Sequence, residues 1–431
     1  MHYFINFKNY KYAEIDLFSA LSLLIGKNGS GKSNLIEGVE LLAYVAAGKP
    51  LHELVDSPSS LSRPDGVRGG IHSCVKFGEK NFTLGFKANI EFMGKNQAFD
   101  YQIVISVDPF PRVISEHLFV GKRKLFLAMS EERSKDGLLT VRFDNFARGG
   151  TKPHKSMYGD RSVISRYEEL ISENSSGDKG NKLDAVRTIG AIKKHLQSSF
   201  VIDPSPKSMR NYVRIGQDSL LKDGSNISAV LDGLETFVKD GKASLENILK
   251  VVRQIPEEPF LKFDFARTVQ NDVLFGIKLG ERLVDARLIS DGTLRIIAVV
   301  TALETISEKS RVVIEEFDNG LHPSRAHVLI NAIKEIVTRR KLNVMLTTHN
   351  PASLNSLDGV WLKNVHVCYW DADEDTSKLV SLLKIPKVDY LLESASGLGD
   401  IVTKSIFDKH LKPGFEDNKK AEALSWLEQL K

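Results

Sequence analysis

Apolar and polar residues alternate through the opening of the chain, with Tyr3, Ile5 and Phe7 and then Ile15 and Leu17 carrying the apolar side, and the stretch closes on the run Leu21 to Ile25. A period of two marks half-buried strands, and a short apolar run before turn residues marks a buried one. A glycine-rich loop comes next. From Lys32 to about Ala47 the apolar positions Leu35, Ile36, Val39, Leu41 and Leu42 recur at helical spacing, so the loop joins a strand to a helix. Residues 52–70 hold Pro58, Pro64, Gly66, Gly69 and Gly70 among serines and charges and predict a surface loop. Strand-like alternation resumes from Ile71 to about Phe146, where FTLGFKANIEF and YQIVISV predict an antiparallel sheet beside the first strands.

Between about Ala147 and Lys182 the chain is polar, with Gly149, Gly150, Pro153 and the run SENSSGDKGNK, and a mobile loop is expected there. Helical periodicity returns over Leu183–Phe200 and Asn226–Ile255, enough for a modest helical subdomain. Sustained heptads are absent, which excludes a long coiled-coil arm. From Leu261 to about Phe407 strands and helices alternate, the pattern of an α/β layer with a parallel sheet. The organisation predicted is residues 1–146 as the first part of an α/β core with an antiparallel lobe, 147–258 as a mainly helical subdomain with a loop, and 259–431 as the second part of the core.

Composition narrows the class. With 431 residues, 42% hydrophobic and 26% charged, the chain can bury a large core. No stretch approaches the roughly 18 consecutive apolar residues of a membrane span, and the polar N-terminus MHYFINFKNYKY lacks a signal-peptide core. A cytoplasmic protein is expected, with no membrane partner. Cys74 and Cys368 are the two cysteines, far apart and outside any C-x-x-C pair, so neither a disulfide framework nor a zinc site is indicated. A net charge of +4 over this length falls well short of a dedicated nucleic-acid binder.

Four segments carry chemistry. GKNGSGKS, Gly26 to Ser33, fits G-x-x-x-x-G-K-[ST] between a buried strand and a helix. Its glycines Gly26, Gly29 and Gly31 let backbone N–H groups turn inward around phosphate oxygens, Lys32 adds positive charge near the outer phosphates, and the Ser33 hydroxyl can ligate Mg2+. Asn28 and Asn34 complete the expected nucleotide contacts. Val312 to Ile314 form a second short buried strand that ends in Glu315 and Glu316, acids placed at the carboxyl edge of a sheet. Glu315 suits a metal held through water, and Glu316 suits the orientation and deprotonation of an attacking water. A third strand, Val344 to Leu346, runs into Thr347-Thr348-His349-Asn350-Pro351 and puts His349 where it can contact a γ-phosphate. Finally, Ser290 and Gly292 in LISDGTLR offer a hydroxyl and backbone N–H groups at a helix start, a further anion site or a plain cap.

GKNGSGKS, LISDGTLR, VVIEEFDNGLHP and LTTHNP together resemble, in order and spacing, the Walker A, signature, Walker B with D-loop, and switch-histidine segments of ABC-type ATPases. The opening INFKNY, GKSNLIEGVELL, EEFDNGLHP and the segment Leu220–Leu231 look like the RecF, SMC and OLD-type group of head domains. Residues 110–215 are the least covered. The resemblance implies an α/β ATPase head with a parallel-sheet nucleotide core, a lateral antiparallel β-lobe and a helical subdomain. It implies ATP and Mg2+ as ligands, and a head-to-tail homodimer in which Ser290 and Gly292 of one subunit cap the ATP of the other. It also places Lys8 and Asn9 near the adenine edge. His322 stands where transporters usually carry an acid, and Glu315 where many relatives have Asp; no Gln occupies a Q-loop position. WDADEDTSK, Trp370 to Lys378, superficially offers the D-x-D of a Toprim nuclease, but closely flanking strands make it a hairpin with an acidic turn.

An ATPase head of this kind, lacking a coiled coil or nuclease of its own, is expected to control something it binds. One expectation is a dimeric or higher-order sensor or scaffold governing a separately encoded effector such as a nuclease in bacterial anti-phage defence. The alternative is a RecF-like, ATP-switched DNA-binding protein, which a continuous basic surface around Lys122, Arg123, Lys124, Arg148, Lys152 and Lys155 would favour. A scaffold that locks on ATP without turnover is disfavoured by the complete acid pair and His349.

Overall fold

The computed structural model describes residues 1–54, 67–130, 137–254, 260–355, 357, 359–394, 397–404 and 406–411. Most of the loop expected at 52–70 and the polar tail after Lys412 lie outside the described residues. In chain order the strands are β1 (His2–Phe7), β2 (Tyr10–Ile15), β3 (Leu21–Ile25), β4 (Asn81–Phe92), β5 (Lys95–Ser106), β6 (Arg112–Val120), β7 (Arg123–Ser130), β8 (Leu138–Phe143), β9 (His154–Tyr158), β10 (Ser199–Ile202), β11 (Val213–Arg214), β12 (Lys262–Arg267), β13 (Asp272–Leu279), β14 (Arg282–Asp285), β15 (Arg311–Ile314), β16 (Asn343–Thr348), β17 (Val365–Asp371) and β18 (Thr376–Ser381). The helices are α1 (Lys32–Ala46), α2 (Tyr167–Ser172), α3 (Lys179–Gln197), α4 (Ile227–Thr236), α5 (Gly241–Val252), α6 (Asp291–Thr305), α7 (Pro323–Arg340), α8 (Pro351–Asn355), α9 (Gly359–Leu362), α10 (Val388–Ser394), α11 (Leu398–Thr403) and α12 (Ile406–His410). None is long and apolar enough to cross a membrane.

The chain divides into two compact units. The first comprises Met1–Phe18, Ser33–Phe200 and Thr376–Lys378. Its sheet runs β2-β1-β4-β5-β6-β7-β8-β9, each neighbour antiparallel. Period-two burial drives it: Phe99, Tyr101, Ile103 and Ile105 on β5 are all buried, and in the β4 register Phe86, Leu84 and Phe82 stand opposite the last three. Such cross-strand pairs fix the register, because a slip of one residue would turn this apolar set to the other face.

The polar stretch 147–182 differs from its expectation. It contains β9, α2 and the start of α3. Its polar residues make local structure: Asp178 caps α3 by accepting the N–H of Asn181 at 2.7 Å, and Asn145 Nδ2 donates to Ser176 Oγ at 2.9 Å. These side chains serve caps and turns, which leave no hydrophobic period to read. Glu116 is fully buried on β6. Its carboxylate accepts the N–H groups of Val163 (2.5 Å) and Ile164 (2.8 Å) and the Tyr101 hydroxyl (3.2 Å). Burial nevertheless outweighs these donors and the nearby Arg166, pushing the Glu116 carboxyl up to about 7.

The second unit comprises Ser19–Lys32, Val201–Asp375 and Leu379–Lys431. Its core is a parallel sheet, β15-β16-β3-β17, with β10 beside β15. β3 and β15 are buried at every residue, as parallel strands covered on both faces require. The helical periodicity over Asn226–Ile255 resolves into two helices, α4 and α5, separated where Asp240 takes a left-handed φ of 64°. Simple α/β alternation from Leu261 is also corrected: β12, β13 and β14, with β11, form a small separate antiparallel sheet before the α/β pattern resumes at α6. The alternation in KFDFAR and DVLFGIKL identifies strands but not which sheet they join. The architecture is α/β, with a parallel-sheet core, an antiparallel lobe and helices, in line with the sequence-derived class.

Candidate functional site

The parallel order of β15, β16 and β3 places three carboxyl-terminal strand ends side by side. Val312, Val313 and Ile314 stand opposite Val344, Met345 and Leu346, and Leu346 to Thr348 stand opposite Leu23 to Ile25. Three segments therefore meet at one sheet edge: the glycine loop after β3, the acids after β15, and His349 after β16.

The loop is shaped for an anion. Gly26, Gly29 and Gly31 have φ values of 150°, 81° and 107°. A Cβ on Gly26 would lie 2.3 Å from the Cys368 carbonyl oxygen, so only glycine allows this close approach to β17. Asn28 lies within the same loop. Lys32, the first residue of α1, is buried, and its Nζ donates to the carbonyls of Gly26 (2.6 Å) and Lys27 (2.9 Å). The ammonium is thereby held inside the curve of the loop. Burial lowers its pKa, with Cys368 and Glu316 opposing that fall. Ser30 is buried, and its Oγ has no hydrogen-bond partner among the described residues. A buried orphan hydroxyl costs about 1–3 kcal/mol, so the loop fits an anionic group that supplies oxygens to it.

Glu316 has a φ of 42°, a left-handed conformation that costs an L-residue about 1–2 kcal/mol. Two hydrogen bonds to the next strand hold it there: its N–H donates to Thr347 Oγ1 at 2.8 Å, and the N–H of Phe317 donates to the Thr347 carbonyl at 3.2 Å. The carboxylate accepts from Asn319 Nδ2 at 2.9 Å and lies 3.6 Å from His349 Nδ1. Behind them, Thr348 Oγ1 donates to the buried Asp318 carboxylate at 2.7 Å and accepts the Asn350 N–H at 2.9 Å, which fixes the backbone on both sides of His349. Desolvation raises the Asp318 pKa, while hydrogen bonds from Ser353 and Thr348 oppose the rise.

Glu315 is half-buried, and its N–H donates to the Ile202 carbonyl at 3.2 Å. The residue that follows that edge strand, Asp203, escaped sequence reasoning. Desolvation raises its carboxyl, Arg295 and Lys222 oppose the shift, and Glu316 adds to it, so Asp203 belongs to the electrostatics of the acid pair. Its only signal was the short run Phe200–Ile202 before Asp-Pro. Among the described residues no three His, Cys, Asp or Glu side chains cluster to hold a metal. The donors present fit Mg2+ of the kind that travels with a nucleotide, taking phosphate and water oxygens and one or two protein groups.

The signature segment is built at the start of α6. Ser290 caps the helix, its Oγ accepting the Thr293 N–H at 3.2 Å. Two arginines missed by sequence reasoning brace it. Arg325 Nη1 donates to Ser290 Oγ at 3.3 Å, and Arg210 Nη2 donates to the Ile289 carbonyl at 2.8 Å and the Asp291 carboxylate at 2.5 Å. Gly292 is buried against Leu321, whose Cδ2 would lie 3.0 Å from a Cβ at position 292. His322 is the N-cap of α7 and pairs with Ser324.

Within the first unit, Ser33 and Asn34 continue α1. Asn34 Nδ2 donates to Asn9 Oδ1 at 2.8 Å, and Asn9 Nδ2 donates to Ser377 Oγ at 2.5 Å. Lys8 pairs with Glu37 and donates to the Arg68 carbonyl at 3.2 Å. Asn9 and Lys8 are thus engaged by internal partners.

The family described as AAA domain, putative AbiEii toxin, Type IV TA system matches residues 21–355. A Helicobacter pylori protein named ATP/GTP phosphatase is 23% identical over 365 residues, spanning 82% of this chain and 86% of that protein. A DNA replication and repair protein RecF from Lactococcus lactis is 26% identical over 98 residues, 22% of this chain and 27% of its own length. Among solved structures, the SMC head bound to the C-winged helix domain of ScpA aligns with 88% of this chain and 96% of its own, at 14% identity and a TM-score of 0.46.

Proposed function

Because the chain belongs to the family of AAA domains described as putative AbiEii toxin, Type IV TA system, and is an ATP-binding ATPase head of the ABC type, we propose that it works as an ATP-driven dimeric sensor that controls a separately encoded effector. The observation that carries the catalytic part of this reading is the meeting of Lys32, Glu316 and His349 at one sheet edge. Lys32 neutralises charge on the outer phosphates as the glycine loop wraps them. Glu316, held by its strained backbone and by Asn319, orients the attacking water and takes its proton. His349, beside Glu316, donates to the γ-phosphate and so positions the group under attack. Bound Mg2+ would neutralise β- and γ-phosphate charge, with Glu315 reaching it through water.

Support for a dimer comes from the signature segment. Ser290 is exposed at its helix end, Arg210 neutralises the adjacent Asp291, and Arg325 adds positive charge beside it. An arrangement of this kind suits the phosphates of a nucleotide carried by a second copy. Support for a protein effector over DNA comes from the first unit's basic residues. Arg123 and Lys152 share Asp144, at 3.6 and 2.8 Å, and Lys155 pairs with Glu173. Paired cations weaken a phosphate-binding surface.

The test is native mass of Glu316→Gln with ATP and Mg2+, prepared together with the products of neighbouring genes. A homodimer holding another protein is the expected result. A homodimer that takes no protein but retards double-stranded DNA would replace the effector role with a DNA-binding one, and a monomer under all conditions would remove the dimer.

A further inference from the structure

Within the second unit the glycine loop opens on a cavity whose far wall, Tyr369 to Asp373, the chemistry above does not use. This cavity of 480 Å3 lies between Lys27–Ser30 of the loop and Cys368–Asp373 at the end of β17. That volume is within the roughly 300–1,000 Å3 typical of small-molecule sites. Trp370 lines it with 47% of its surface exposed, and the acidic turn after it contributes Asp371 and Asp373. The buried Ser30 with its unpartnered Oγ lines it as well. Asp371 is committed to the turn, its Oδ1 accepting the N–H groups of Asp373 (3.0 Å) and Glu374 (3.2 Å). Asp373, by contrast, is exposed.

Strand order gives the cavity a direction. β3 has β16 on one flank and β17 on the other, both parallel to it. The acids and His349 stand on the β16 side. A nucleotide whose phosphates fill the loop with the γ-phosphate toward Glu316 therefore extends its nucleoside end toward the β17 side, where the cavity shares Lys27–Ser30 with the loop. Lys8 and Asn9, the other candidates for reading the base, are held by Glu37, Asn34 and Ser377.

We propose that this cavity seats the nucleoside of the bound triphosphate: Trp370 stacks on a purine base, and the Asp373 carboxylate accepts hydrogen bonds from the base edge. The assignment rests on the loop being the phosphate site. An aromatic face tolerates any purine, whereas a carboxylate pairs best with two adjacent donors, which guanine's N1–H and amino group supply and adenine does not. GTP is therefore accepted as well as ATP.

Titration calorimetry with ATP, GTP and inorganic tripolyphosphate tests the assignment. Trp370→Ala should weaken ATP and GTP by about tenfold to a hundredfold while leaving tripolyphosphate within about twofold, and Trp370→Phe should recover most of the loss. Asp373→Asn should weaken GTP more than ATP. ATP binding unchanged in Trp370→Ala overturns the stacking assignment, and equal effects of Asp373→Asn on both nucleotides overturn the base-edge assignment. If Lys32→Ala leaves all three ligands bound as before, the loop itself is not the phosphate site and the underlying reading fails.

Discussion

Two glutamates, one in each unit, show how differently a fold can use the same side chain. Glu116 is fully enclosed, accepts three internal hydrogen bonds and has its carboxyl pushed up to about 7. Glu316 is half-buried, sits on strained backbone and has His349 at 3.6 Å. By perturbation of acidity alone Glu116 would look like the reactive group. Access and strain point the other way. Glu116 ties β6 to the segment around Val163 and is fully enclosed, while Glu316 is held at a strand end where a substrate and water can reach it.

Replacing each carboxylate in turn, with turnover and stability both measured, tests this contrast most severely. Glu316→Gln keeps the size and the Asn319 contact but removes the base, so phosphate release should fall by roughly a thousandfold with ATP affinity retained. A turnover within about tenfold of the parent would mean that another group, such as Asp203, takes the proton. Glu116→Gln should leave turnover per folded molecule unchanged.

Stability supplies the second and smaller effect. Glu116→Ala strands the N–H groups of Val163 and Ile164 and the Tyr101 hydroxyl, and should cost about 3 kcal/mol in chemical unfolding. The parent also carries a pH signature. A carboxyl whose folded pKa stands near 7, against the ordinary 4.5, binds its proton more tightly when folded. Its contribution is fully present below about pH 4.5 and is lost as pH rises through 7, an order-of-magnitude change of about 3 kcal/mol. The difference in unfolding free energy between the parent and Glu116→Gln, measured from pH 5 to 8, isolates this contribution. A flat difference would mean that the three donors keep Glu116 ionised throughout.

The same contrast explains which features could be read in advance. The phosphate loop and the two strands that flank the acids and His349 were legible because fully buried parallel strands require continuous apolar runs, and those runs end in polar residues whose types match the chemistry. The lobe was legible through its period of two. The left-handed backbone of Glu316 was not, since nothing in Glu-Glu-Phe announces a positive φ; Thr347 on another strand imposes it. Asp203 and Arg325 were missed for the same reason: each acquires its role from a neighbour distant in sequence, Glu316 for the one and Ser290 for the other. The turn after Trp370 was read correctly as a turn, but only the pairing of β17 with β3 brings it beside the phosphate loop.

His322 offers the finest adjustment to the comparison, because it lies between the acid pair and the helix whose Arg325 touches Ser290. Its ring nitrogen Nδ1 caps α7, accepting the Ser324 N–H at 3.4 Å. A contact that long is weak, so His322→Ala should lower stability by only about 0.5 kcal/mol, and His322→Asn, a better cap, should restore it. The resemblance sets His322 where transporters usually carry an acid, whereas the geometry gives it the duty of fixing the first turn of α7. Turnover of His322→Asn equal to the parent's is the expected outcome. If Asn restores stability but not turnover, the imidazole acts on the nucleotide directly, and the strand-end chemistry extends one segment further than Glu316 and His349.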